Sequence, residues 1–190
     1  MYRYRNMVWK ERHHKRIASL VIYVCCLCSP LLQSQTAPLP EYKIKAVFLF
    51  NFTQFVQWPE NAFNNNDDPF VIGILGKDPF GNYIDAAVTG EKMGTHPITI
   101  ARYNNINEVN NCQMLFISKY YNENLPAALS LLNQHFVLTV SDMPGFVQSG
   151  GIIGFETVNN KIKLQVNLST AKTANLNISS KLLSVAEIVK

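Results

Sequence analysis

The chain has 190 residues, 47% of them hydrophobic, with four cysteines and a formal charge of +4. That length carries one domain with a proper core and leaves little room for two. The charge excludes a nucleic-acid reader: six of the seventeen basic residues (Arg3, Arg5, Lys10, Arg12, Lys15 and Arg16) crowd into the first sixteen positions, and from Gln35 onward eleven bases meet twelve acids with no concentrated basic face.

The basic opening leads into an apolar run, Ile17 to Leu32, broken by Ser19, Ser29 and Pro30, and then into small and polar residues. A positive segment, an apolar segment and a small-residue exit define a secretory signal. Residues 1–35 are read as that signal, with the cut falling within 34–37; residues 36–41 are a tether and 42–190 an α/β domain. Retention as an inner-membrane anchor is the alternative, disfavoured because Pro30 leaves fewer than the roughly 20 apolar residues a bilayer core demands. Cys25, Cys26 and Cys28 fall inside the signal, so the mature domain keeps Cys112 alone. One thiol forms no internal disulfide, and stability has to come from an ordinary core. Cys112 precedes the strand-like "QMLFIS" and reads as a half-buried small hydrophobe.

After the tether, "KAVFLFNFTQFVQWPE" belongs to a helix expected from about Glu41 to Trp58 and stopped by Pro59. On a 3.6-residue period Ile44, Phe48, Asn51, Phe55 and Trp58 share a stripe, which predicts that Asn51 is buried and hydrogen-bonded to the sheet. "NNNDD", Asn64 to Asp68, is a polar loop. Strands are expected over Phe70 to Gly76, Ile98 to Arg102, Met114 to Ser118 and Phe136 to Asp142. Helical pieces alternate with them, over Asn82 to Val88, Ile106 to Asn110 and Asn124 to Gln134. This alternation predicts βαβ units: a mostly parallel sheet flanked by helices in a single domain. Then "GGIIGFETVNNKIKLQVN" reads as a hairpin about Asn159-Asn160, and "NLSTAKTANLNISSKLLSVAEIV" as a closing helical region, with Ser179 or Ser180 capping the last helix.

Catalytic constellations are missing from the pattern. Past the signal only His96 and His135 remain, with no Gly-x-Ser-x-Gly elbow and no Cys or His cluster at zinc spacing, so no metal site, cofactor or enzyme activity is expected. Ser141-Asp142 with His135 is the one hydrolase alternative, and no oxyanion device accompanies it. "GKDPFG", Gly76 to Gly81, follows the first parallel strand, where open sheets gather ligands. It lacks the Lys-Ser/Thr of a phosphate loop, and Asp78-Pro79 favours a structural turn. Gly150-Gly151 is read as the turn into the hairpin, with a ligand contact as the alternative.

The ordered set "KAVFLFNFTQFVQWPE", "GILGKDPFG", "CQMLFIS", "LTVSDMPGFVQSGGIIGF" and "KLQVNLSTAKTANLNISSKLLSVA" resembles the YfiR-like family, over about Tyr42 to Val189. The resemblance implies an exported, non-enzymatic signalling regulator acting in the periplasm. It would repress cyclic-di-GMP synthesis by binding the extracytoplasmic domain of a membrane diguanylate cyclase, or a histidine kinase, and be sequestered by an OmpA-like lipoprotein. A homodimer is a further expectation. The matching positions include Asn51, Phe52, Trp58, Pro59, Gly76, Asp78, Pro79, Phe80, Gly81, Ser118, Ser141, Asp142, Gly150, Gly151, Gly154, Asn167 and Ser180. Gln57, Trp58, Asn177 and Ser179 are the candidates for partner or ligand binding. The alternative function is a small-molecule-binding domain for a nucleotide or aromatic metabolite. One departure stands out: the family's disulfide would join the position of Cys112 to one that is Gly73 here, so its redox control is in doubt for this chain.

Overall fold

Short apolar runs make the centre of the domain, because a parallel strand covered on both faces has no wet side to mark with polar residues. The computed structural model describes residues 41–121, 123–132 and 135–189. The expected signal, residues 1–35, and positions 36–40 of the expected tether lie outside them, whereas Glu41, the tether's last expected position, opens the first helix. Helix α1 (Glu41–Phe55) leads into β1 (Val56–Gln57), then β2 (Phe70–Leu75), α2 (Asn82–Val88), β3 (Lys92–Met93), β4 (His96–Tyr103), β5 (Met114–Ile117) and α3 (Leu125–Leu132). There follow β6 (Leu138–Ser141), β7 (Ile153–Val158), β8 (Lys161–Asn167), α4 (Leu168–Thr173), β9 (Asn177–Ile178), α5 (Ser180–Leu183) and β10 (Ala186–Val189).

An eight-stranded sheet runs in the order β10-β8-β7-β6-β5-β2-β4-β3. Strands β4, β2, β5, β6 and β7 are mutually parallel. The expected α/β architecture is therefore the observed one. The chain steps outward from β2 to β4, crosses back past β2 to β5, and continues to β6 and β7. Its connections diverge between the carboxyl ends of β2 and β5, the place where open α/β sheets form a crevice. Strand β8 returns antiparallel to β7 through Asn159 and Asn160, at φ of 51° and 60°. This is the tight hairpin those two residues predict.

The two faces fill different cores. Ile72, Ile74, Met114, Phe116, Leu138 and Val140 point toward α1, α2, α4 and α5. Leu115 and Ile117 alternate to the other side, under Ala128, Leu129 and Leu132 of α3, with Phe146 and Val147 from the turn between β6 and β7. Gly151 is needed there, because a Cβ at that position would lie 2.1 Å from Cε1 of the buried Phe146 ring.

Helix α1 departs from expectation in two ways. It ends at Phe55, because Val56 and Gln57 pair antiparallel with Ile178 and Asn177. It also turns a different stripe inward: Lys45, Ala46, Leu49, Phe52 and Thr53 are buried, while Ile44 and Val47 are exposed. Phe52 stacks on Phe155 of β7 with centroids 5.9 Å apart, and burying such a ring stabilises by about 1.5–3 kcal/mol. The expected burial of Asn51 is thus corrected. It is half-exposed, and its side chain enters no hydrogen bond among the described residues.

The closing region is also less helical than expected. Asn177–Ile178 and Ala186–Val189 are strands, β9 against β1 and β10 parallel to β8. Ser179 does cap α5, its Oγ accepting from the Leu182 N–H at 3.4 Å.

Candidate functional site

Gln57, Trp58, Asn177 and Ser179 come from opposite ends of the domain, and the β1–β9 ribbon gathers them. Asn177 Nδ2 donates to Gln57 Oε1 at 3.2 Å, and the Ser179 N–H donates to the Phe55 carbonyl at 2.8 Å. Trp58, held extended by the following Pro59, lays its ring edge-on against Phe70 with centroids 4.8 Å apart. Its Nε1–H donates to the Gln113 carbonyl at 3.0 Å. Gln57 and Asn177 are exposed, and Trp58 and Ser179 half-buried. The four residues make a clasp with a polar outer surface, and neither of the two cavities described below is lined by any of them.

Sequence reasoning missed a second cluster, at the carboxyl end of β6. Lys45 extends from the first turns of α1 to place Nζ 2.8 Å from Asp142 Oδ2 and 2.5 Å from Glu41 Oε1. The Tyr42 hydroxyl donates to the same Asp142 oxygen at 2.7 Å, and the Lys119 N–H, after β5, donates to Oδ1 at 3.3 Å. Burial, and then the hydrogen bond to Asp142, push the Tyr42 hydroxyl well above its ordinary range. The hydrogen bond from Lys45 holds Glu41 below the ordinary carboxylate range. A cavity of about 500 Å³ opens beside this cluster, lined among others by Lys119, Gly154, Glu156 and Gln165. The available signal was a Lys four residues after Glu41 inside an otherwise apolar run.

The remaining expected positions act as braces. In the Gly76–Gly81 loop, Asp78 Oδ1 accepts from the Phe80 N–H at 2.7 Å, and Oδ2 accepts from Arg102 Nε at 2.8 Å. Arg102 also reaches Asp85 of α2 at 2.6 Å. Pro79 lies inside this braced turn, and Phe80 meets Phe116 edge-on at 4.7 Å. Gly150, at φ 99°, and Gly151 close the turn that carries Phe146 and Val147. Burial pushes the Cys112 thiol up to about 12, away from the range of a reactive thiolate. A Cβ at Gly73 would lie 2.8 Å from Cys112 Sγ, so the two positions of the expected disulfide are adjacent, and glycine supplies no second thiol.

The hydrolase alternative fails on position. His135 precedes β6 and Ser141 ends it, at opposite ends of the strand, and Ser141 Oγ donates to the Ile117 carbonyl at 2.6 Å. Among the described residues no three potential metal ligands cluster, and no helix is long and apolar enough to cross a membrane. A family model described as YfiR/HmsC-like matches residues 42–187. No curated protein matches the chain.

Proposed function

The chain belongs to the YfiR/HmsC-like family, and from that premise we propose that it is an exported signalling regulator that makes and breaks no bonds. It represses a membrane-bound diguanylate cyclase, or a histidine kinase, by binding that protein's extracytoplasmic domain. The family match over nearly all of the mature domain carries this reading. The buried polar chemistry supports it, because Asp142 is held by Lys45 and Tyr42 and the thiol of Cys112 is protonated in its core.

Repression needs only differential binding: a protein that binds the inactive form of a cyclase tenfold more tightly than the active form moves the balance by about 1.4 kcal/mol. The clasp of Gln57, Trp58, Asn177 and Ser179 is the surface we assign to the partner, since it presents exposed amides on a ribbon fixed by backbone pairing. An OmpA-like lipoprotein that covers the same surface would relieve the repression by competition. In this reading the first 35 residues direct export and the meeting is periplasmic, which their basic-then-apolar order supports. The direct test is a binding titration between the full chain and the extracytoplasmic domain of a membrane cyclase from the same cell. Binding weakened tenfold or more by Gln57→Ala together with Asn177→Ala supports the assignment, and unchanged binding removes the clasp from the interface.

A further inference from the structure

At the amino ends of β2, β5 and β6, away from the Lys45 cluster and beside Trp58, lies a cavity of about 630 Å³ that shares no lining residue with the clasp or with that cluster. Its floor is apolar, formed by Val71, Cys112, Leu132 and Val137 at the entrances of β2, β5 and β6 and the end of α3. Its rim carries the carboxamides of Asn61, Asn64, Asn110 and Asn111 and the imidazole of His135, all exposed. Among the described residues these five side chains enter no hydrogen bond with one another or with the rest of the domain.

The charge of the lining narrows the ligand. Among the described residues neither Lys nor Arg contributes to it. The one carboxylate among the described lining residues, Asp68, is engaged by the N–H groups of Asn64 and Asn65 at 3.1 and 3.0 Å and by Asn65 Nδ2 at 3.3 Å. A phosphate or carboxylate would enter without a cation to meet it. Each carboxamide offers two donors and an acceptor, which suits groups that also donate and accept, above all hydroxyls. An apolar floor under a polar rim, in a volume within about 300–1,000 Å³, is the build of a small-molecule site.

We propose that this cavity binds a neutral polyhydroxylated ligand, a saccharide of one or two rings, with its C–H face on Val71 and Val137 and its hydroxyls on the asparagine rim. The inference is independent of the regulator reading. It also has a built-in reporter: Gln113 lines the cavity, and its carbonyl accepts from Trp58 Nε1–H. The full chain, titrated with glucose, N-acetylglucosamine and maltose, is read by the Trp58 indole N–H resonance, assigned with Trp58→Phe; adenosine monophosphate serves as the anionic probe. A saturable shift with at least one sugar, weakened tenfold or more by Asn61→Leu with Asn110→Leu, is the expected result. Asn64→Ala, at an exposed position, provides the second variant if the first pair unfolds. The proposal is overturned if no sugar shifts the resonance, if the shift survives in a folded variant, or if the nucleotide saturates it at lower concentration than any sugar.

Discussion

Lys45 Nζ lies 2.8 Å from Asp142 Oδ2, and each side chain is only 2% exposed. This ion pair joins α1 to the end of β6 across 97 positions of sequence. Removing one member of a buried pair leaves the other charge uncompensated, a cost of about 3–5 kcal/mol, whereas replacing both with apolar groups is often neutral. Lys45→Met is therefore expected to lower stability by that amount, and Lys45→Met with Asp142→Leu to recover much of it. Urea unfolding of the two single variants and the double variant measures the coupling, and additive losses would contradict the pairing.

Acid should weaken this corner and the Arg102–Asp85 pair between α2 and β4 as well. Glu41 and Asp85 are both held below the ordinary carboxylate range, Glu41 by Lys45 and Asp85 by Arg102. With a depressed folded value the unfolded chain binds more protons, so stability rises with pH across the window below about 4.5 and is lost as pH falls through the folded values. Glu41→Gln should flatten that fall. Urea midpoints measured across the acid range check the sign, and a midpoint that holds steady on acidification would contradict it.

Much of this was legible in the sequence, and the omissions have physical causes. Runs such as "FVIGIL" and "MLFI" announced parallel strands, and Asn159-Asn160 announced the hairpin. The inward stripe of α1 could not be read because the helix is apolar on nearly every side; either phase satisfies a helical period, and contact with Phe155 decides between them. Strands β1 and β9 are two residues each and exist through pairing with one another, far apart in the chain, so no local pattern marks them. "AEIV" at β10 carries too few residues for periodicity to separate strand from helix. Among the candidate residues, Gln57, Asn177 and Ser179 do converge, while the Lys45 pair stayed hidden because its partner is distant in sequence.

Gln113 is a second buried pin. Its Oε1 accepts from the Val71 N–H at 2.9 Å, and its Nε2 donates to the Ala62 carbonyl at 3.0 Å. Gln113→Leu orphans both backbone groups, at about 1–3 kcal/mol for each that stays dry. Thermal and urea unfolding should show the loss, and a variant as stable as the parent would mean that water replaces the amide.

Position 73 offers a test of packing and of the absent disulfide together. A Cβ there would meet Leu115 Cδ1 at 2.7 Å and Tyr103 Cε2 at 2.8 Å as well as Cys112 Sγ. Gly73→Ala should cost about 1–3 kcal/mol through overpacking. Oxidised Gly73→Cys, closing a loop to Cys112, should gain up to about 4 kcal/mol over its reduced form by the chain-entropy account. Urea midpoints with and without reductant decide the matter, and equal midpoints after confirmed oxidation would contradict it.

The regulator reading is tested most directly in the cell, by cyclic-di-GMP measured with the gene deleted, restored, and restored without its first 35 residues. The level should rise on deletion, return with the full chain, and stay high when the export signal is missing. A level that does not change on deletion, in a strain whose membrane cyclase is active, would contradict it.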